Sequence, residues 1–245
     1  MQTLSPASTA TMPKAIIFDF DGVIVDSEPL HYQAFVLVGK SFNFEFTWQQ
    51  YLTQYIGFDD RDAFRYMLAQ AIEGGYTPDI TDLQKTLNDL IEKKQRAFEA
   101  IAETGTAAIL GAVELIEEAA DAGLPIAIAS GATHADIEQM LRLLKIRDKF
   151  DIIVAADDVE HSKPDPTTYA MAFEKLAAKY PDANLTPQTT LAIEDTGAGL
   201  ASAIGAGLQT LGLTTTSPPK VLEKAGRVVE DLAGVTLTTL NKWYG

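Results

Sequence analysis

Short apolar runs and longer amphipathic segments alternate through most of the chain. Ile16-Ile17-Phe18, Pro125-Ile126-Ala127-Ile128-Ala129-Ser130, Asp151-Ile152-Ile153-Val154-Ala155, Thr190-Leu191-Ala192-Ile193-Glu194-Asp195 and Leu208-Gln209-Thr210-Leu211-Gly212-Leu213 are the five runs. Near-continuous apolar stretches of this length read as strands buried on both faces of a parallel sheet. Between them, residues 112–122, 134–145, 167–180 and 198–206 carry helical spacing. Gly123, Pro181 and Gly207 stand just past three of these segments as stop signals. Strands alternating with helices imply right-handed crossovers and a doubly wound parallel sheet.

One stretch interrupts the alternation. From a helix start at Ser27-Glu28-Pro29 to about residue 100 the pattern is helical and poor in strands. Leu30, Ala34, Phe35 and Val38 recur at helical spacing, as do Phe64, Met67, Leu68, Ala71 and Ile72, and Leu83, Leu87, Leu90, Ile91 and Phe98. Gly57 and Gly74-Gly75 divide the stretch into three or four helices. The expected organisation is an α/β core of residues 14–27 and 101–245, an all-helical insertion at 28–100 acting as a lid, and a disordered tail at 1–13.

Composition narrows the function. The net charge is −15 and the pI about 4.5, which argues against binding nucleic acid through its phosphates or adhering to an anionic membrane. No apolar run approaches a membrane span. The chain has no cysteine, which excludes disulfides and thiolate metal sites. Residues 1–13 have neither the basic nor the apolar region of a secretory signal, and Met12 precedes the first strand as an alternative start. A cytoplasmic monomer is expected.

The chemistry collects just past the strands. The first run delivers Asp19 and Asp21 before Gly22; the second delivers Ser130-Gly131; a loop after the third carries Ser162-Lys163-Pro164; the fourth delivers Glu194-Asp195, followed by Gly197 and Gly199. In open α/β sheets, ligands bind outside the carboxyl ends of the strands. Four acids confined there would repel one another without a cation, and an oxygen-only donor set suits Mg²⁺. A hydroxyl, backbone N–H groups and a lysine suit phosphoryl oxygens. Each piece has a plain structural reading. Asp-Gly is a turn signal, Ser130-Gly131 a turn or cap, Lys163 a solvated loop residue and Glu194-Asp195 a helix-capping pair. Their order, each at a strand terminus, is what favours a site.

With these motifs the chain resembles the haloacid dehalogenase-like phosphohydrolases, in the subgroup of β-phosphoglucomutase and the small sugar-phosphate phosphatases. The residues that carry the resemblance are Asp19-Phe20-Asp21-Gly22-Val23, Ser130, Lys163 in Ser-Lys-Pro-Asp-Pro, and Glu194-Asp195 in E-D-T-G-A-G. It spans about Lys14 to the C-terminus and implies a Rossmann-like core with an inserted all-helical cap domain. It further implies Asp19 as nucleophile, Asp21 as acid and then base, and Ser130 with neighbouring N–H groups on the phosphoryl oxygens. Lys163 would offset charge, and Mg²⁺ would be held by Asp19, the Asp21 carbonyl, Asp195 and Glu194. Gly131, and in the cap His31, Arg61 and Lys94, are the implied substrate-binding residues. The substrate would be a small-molecule phosphate ester.

Two outcomes of the same chemistry stay open, according to whether water or a sugar hydroxyl accepts the phosphoryl group. His31, Arg61 and Lys94 resemble the mutase branch. Gly131-Ala132-Thr133-His134 departs from it, since the mutases carry a second serine, a basic residue and Asn there. The expected function is therefore a Mg²⁺-dependent phosphatase acting on a sugar phosphate, with a mutase as the alternative. A catalytically silent metabolite-binding protein is the third reading, and a second-step acid such as Asp21 argues against it.

Overall fold

The computed structural model describes residues 12–55, 58, 60–77, 81–104 and 108–245. Residues 1–11 of the expected tail and the break at Gly57 lie outside them. The chain divides into two compact units. One takes in the residues through Asp26 together with Ala108–Gly245, and the other is Ser27–Ala107.

The first unit is built on six parallel strands: β1 (Ala15–Phe18), β2 (Ile126–Ala129), β3 (Ile152–Val154), β4 (Thr190–Glu194), β5 (Gln209–Leu213) and β6 (Arg227–Val229). Their order is β3-β2-β1-β4-β5-β6. Phe18 pairs with Ile128 on one side and with Ile193 on the other, so β1, β2 and β4 end side by side. The chain winds outward from β1 to β3 and then crosses back to β4. The switch point is thus the crevice between β1 and β4. All residues of β1, β2 and β4 are buried, as a sheet covered on both faces requires.

The segments read as helical form α5 (Ala112–Asp121), α6 (His134–Leu143), α7 (Thr167–Lys179) and α8 (Gly197–Gly205), with α9 (Leu237–Tyr244) closing the chain. Ile17, Ala127, Ala129, Val154 and Ala192 pack with Tyr169, Ala172 and Leu176 of α7 and Ala203 of α8 in one core. Small alanines on the central strands let these helices approach the sheet closely. The β6 strand and α9 are additions to the expected elements. β6 is three residues long at the sheet edge, too short for a periodic signal.

Among the described residues, the second unit has only helices as its regular elements. It comprises α1 (Glu28–Gly39), α2 (Trp48–Gln54), α3 (Asp60–Glu73) and α4 (Leu83–Thr104), the last continuing four residues beyond position 100. Ser27 precedes α1 without a side-chain capping bond, whereas Thr47 and Gln50 form a capping box at α2. Phe35, Phe46, Tyr51, Tyr55, Phe64, Met67 and Leu87 form its core. No described helix is long and apolar enough to cross a membrane.

Candidate active site

β1 stops at Phe18, so Asp19 is the first residue past the strand, and its N–H donates to Ile193 O at 2.9 Å. The chain then turns tightly, with Gly22 N–H on Val25 O at 2.7 Å and Ile24 N–H on Phe20 O at 2.8 Å. Gly22 has φ +76°, and a Cβ there would lie 1.9 Å from Asp195 Oδ2, so glycine alone fits both demands. Because the strand has ended, Asp21 takes its position from this turn rather than from strand alternation. Asp21 is exposed, whereas Asp19 is buried.

β4 delivers Glu194 and Asp195 in the adjacent position, with 0% and 1% exposure. Glu194 Oε2 accepts from the N–H groups of Asp195 and Thr196 and from Thr196 Oγ1, at 3.0, 3.2 and 3.1 Å. The helix cap is Thr196, whose Oγ1 accepts from Gly199 N–H at 3.0 Å. Oε1 of Glu194 accepts from Lys163 Nζ at 2.6 Å and from the Tyr169 hydroxyl at 3.1 Å. The remaining N–H groups of Lys163 go to Asp19 Oδ1 at 2.7 Å and Ala129 O at 3.0 Å. A lysine in a loop before proline is thereby a largely withdrawn tie between the ends of β1, β2 and β4.

Ser130 is buried at the end of β2. Its N–H donates to Val154 O, and its Oγ accepts from Ala132 N–H at 2.9 Å. Gly131 is exposed beside it.

Asp19, Glu194 and Asp195 each offer a carboxylate oxygen within 4.8 Å of the others, a set able to hold a metal ion. The Asp21 carboxylate is not part of this group. One lysine cannot neutralise three buried acids, and Asp19 and Asp195 are shifted accordingly. Burial, and next Glu194, push the Asp19 carboxyl well above the usual range against the pull of Lys163. Burial likewise pushes Asp195 up to about 6. Lys163 stays above its usual range despite burial, because Asp19 and Glu194 hold its charge. Asp195 Oδ1 is buried without a hydrogen-bond partner. An all-oxygen cluster with excess negative charge and an unpartnered carboxylate oxygen fits a hard divalent cation.

Two contributors escaped the sequence reading. The Thr214-Thr215-Thr216 stretch carries no signal beyond that of a polar loop, yet Thr215 Oγ1 donates to Gly22 O at 2.5 Å and lies 3.5 Å from Asp195 Oδ2. Applying the strand-end rule to β5 would have found it. Tyr169 reads as an apolar position of α7, and nothing in the pattern announces its hydroxyl bond to Glu194.

In the helical unit, Lys94 is 3% exposed. Its Nζ donates to Asp60 Oδ1 at 2.7 Å and to His31 Nδ1 at 2.8 Å, and it lies over the Phe35 and Phe98 rings. An ammonium only donates, so His31 Nδ1 is the acceptor and a neutral ring carries its proton on Nε2. Burial, with Lys94 adding to it, lowers the His31 pKa to about 3. Arg61 does not join this group. It bonds Gln84 Oε1 at 2.9 Å and Asn88 Oδ1 at 2.7 Å on α4.

The pattern of the haloacid dehalogenase-like hydrolase family matches residues 16–213, and the chain belongs to that family. It is 32% identical over 201 residues to Protein CbbY of Rhodobacter capsulatus, covering 80% of this chain and 83% of that one. It is 27% identical over 196 residues to the phosphorylated carbohydrates phosphatase of Thermotoga maritima, covering 80% and 82%. Among solved structures, a CbbY variant from Rhodobacter sphaeroides in complex with xylulose-(1,5)bisphosphate superposes with a TM-score of 0.69 at 25% identity. That match covers 94% of this chain and 100% of the other.

Proposed function

We propose that the protein is a Mg²⁺-dependent phosphatase of a small phosphorylated sugar, working through an aspartyl-phosphate on Asp19. The observation that carries this reading is the buried group in which Lys163 spans Asp19 and Glu194, with Asp195 Oδ1 unpartnered beside them. The phosphatase named among the relatives supports the reaction class.

Asp19 attacks phosphorus through a carboxylate oxygen, and the ester oxygen leaves with a proton from Asp21. Asp21 then takes a proton from water as that water attacks the phosphoryl group, which releases inorganic phosphate and restores Asp19. The exposed turn position of Asp21 suits a residue that exchanges protons with leaving group and water in succession. The Ser130 hydroxyl and the N–H groups of Gly131 and its neighbours would bind the equatorial oxygens. Asp19, Asp195, the Asp21 carbonyl and Glu194 would hold Mg²⁺. Glu194 is the most committed of these, with five donors already on its two oxygens. Bound there, the ion offsets the repulsion between an attacking carboxylate and an anionic phosphate. Lys163 gives Asp19 a cation partner and holds it in position.

Residues 28–100 act as the cap that selects the substrate. His31 and Lys94 serve it as a preorganised pair, and Arg61 is its polar contributor on α3. The test is Mg²⁺-dependent phosphate release across phosphorylated sugars and small organic phosphates, with β-glucose 1-phosphate plus a bisphosphate primer as one arm. Free phosphate is expected, and Asp19→Asn abolishes its release. Isomerised sugar phosphate in place of free phosphate would overturn the assignment.

A further inference from the structure

The buried hydroxyl of Tyr169 has no part in the chemistry above, yet it touches the residue through which that chemistry is balanced. Tyr169 lies three residues into α7, with 0% exposure and its ring in the core beneath β1, β2 and β4. Its hydroxyl donates to Glu194 Oε1 at 3.1 Å, and Lys163 Nζ stands 4.8 Å from its ring centroid. The same Oε1 accepts from Lys163 at 2.6 Å, and Lys163 is in turn the cation on Asp19. Tyr169 and Lys163 therefore share one acceptor, while Asp19 and Glu194 share one cation.

We propose that Tyr169 is a positioning residue. Its hydroxyl supplies Glu194 with a neutral donor, so that Glu194 does not draw Lys163 away from Asp19. The inference rests on the phosphatase reading for its kinetic consequence, though not for the geometry.

A buried carboxylate left short of a donor leans harder on those that remain. The other oxygen, Oε2, takes its donors from the local turn at Asp195 and Thr196, which cannot follow it. The Glu194 carboxylate already fills the space a side chain at position 199 would take, with Oε1 1.8 Å from where a Cβ would lie, so it is packed against the start of α8. Lys163 is the adjustable partner, since a lysine stem carries several rotatable bonds. Without the Tyr169 hydroxyl, Lys163 shifts toward Glu194 and Asp19 loses part of its counter-charge. The carboxylate group as a whole then becomes more attractive to a cation and less suited to attack on phosphate.

That gives Tyr169→Phe two effects of opposite sense. The variant keeps the ring and its packing, and loses one oxygen. With p-nitrophenyl phosphate and saturating Mg²⁺, kcat falls about tenfold and KM stays within about twofold, since one hydrogen bond to a charged group is at stake. In calorimetric titration of the metal-free protein with Mg²⁺ and no substrate, Kd tightens by about three- to tenfold. In a Glu194→Gln background, Tyr169→Phe shifts neither quantity, because the acceptor is no longer anionic.

An unchanged kcat overturns the proposal, as does weaker or unchanged Mg²⁺ binding. Weakening of both kcat and Mg²⁺ affinity would mark plain structural damage and would overturn it as well. Equal effects of Tyr169→Phe in the two backgrounds would show that it does not act through Glu194. A wild-type protein that binds Mg²⁺ but releases phosphate from no ester sinks the phosphatase reading instead. The Mg²⁺ titrations of the two backgrounds then decide the positioning role alone.

Discussion

Lys163 Nζ donates to Asp19 Oδ1 at 2.7 Å across 144 residues of chain. Both side chains are almost wholly withdrawn from water, at 12% and 10% side-chain exposure. Removing the cation leaves Asp19 and Glu194 as buried carboxylates with no positive partner, Glu194 keeping only its neutral donors. Lys163→Met should therefore cost about 3–5 kcal/mol of stability in the metal-free protein. It should also cost on the order of 10²–10³ in kcat, the scale for losing one charge-stabilising group. Denaturant midpoints and phosphate release check the two separately, and a fully stable Lys163→Met protein would contradict the burial argument.

Metal removal should show a pH dependence with a definite sign. The carboxyl of Asp195 is raised to about 6 in the fold, and Asp19 is raised as well. Between the unfolded value near 3.8 and about 6 the folded state then binds more protons than the unfolded one, so stability falls as pH rises through that window. For Asp195 the loss is about 3 kcal/mol once pH exceeds 6. Mg²⁺ replaces those protons. Its stabilising effect on Tm should be larger at pH 7.5 than at pH 4.5, and equal shifts at the two values would count against a cation at this cluster.

His31 should behave in the opposite sense. With a folded pKa near 3 and an unfolded one near 6.5, it binds its proton only in the unfolded chain across that interval. Stability is retained above pH 6.5 and lost as pH falls toward 3, by about 2 kcal/mol at pH 5. NMR of the ring protons should show no titration from pH 8 to pH 4.5. A transition near 6.5 would mean that the ring is not buried against Lys94 in solution.

Gly199→Ala reverses an ordinary helix expectation. Alanine normally gains about 0.5–1 kcal/mol over glycine inside a helix. Here the added Cβ would meet Glu194 Oε1 at 1.8 Å and Cδ at 2.0 Å. The carboxylate must move, and the substitution should destabilise by roughly 1–3 kcal/mol. Thermal melting gives the sign, and a stabilised variant would show that Glu194 has room to retreat.

Much of the fold was legible in the sequence because its signals are local. The buried runs at Ile16, Ile126, Ile152, Leu191 and Leu208 became strands within one or two residues of the expected ends, and Gly123 and Gly207 stand just past α5 and α8. β6 and α9 were not legible, the strand because three residues at a sheet edge carry no usable period. In the site, Asp19, Ser130, Lys163, Glu194 and Asp195 came from a single rule about strand ends. Thr215 carries no such chemical signal, because a run of threonines past a strand has the composition of any polar loop. In the helical unit, Asp60 carries no signal of its own, because a surface acid on a helix looks the same as one that pairs a buried lysine.

The acids at Asp19 and Asp21 mark the division between what sequence and structure each decide. Sequence alone determined that two carboxylates, a hydroxyl, a lysine and a second acidic pair stand at the ends of successive buried strands, because period and chain order set that placement. It could not determine that Asp19 is buried against Lys163 while Asp21 is exposed in a turn, nor that Glu194 takes five donors and leaves Asp195 Oδ1 with none. Those outcomes depend on which groups remain to satisfy a buried charge once distant segments have packed. A hydrogen bond from Tyr169 to Glu194 has no trace in either residue's neighbours along the chain.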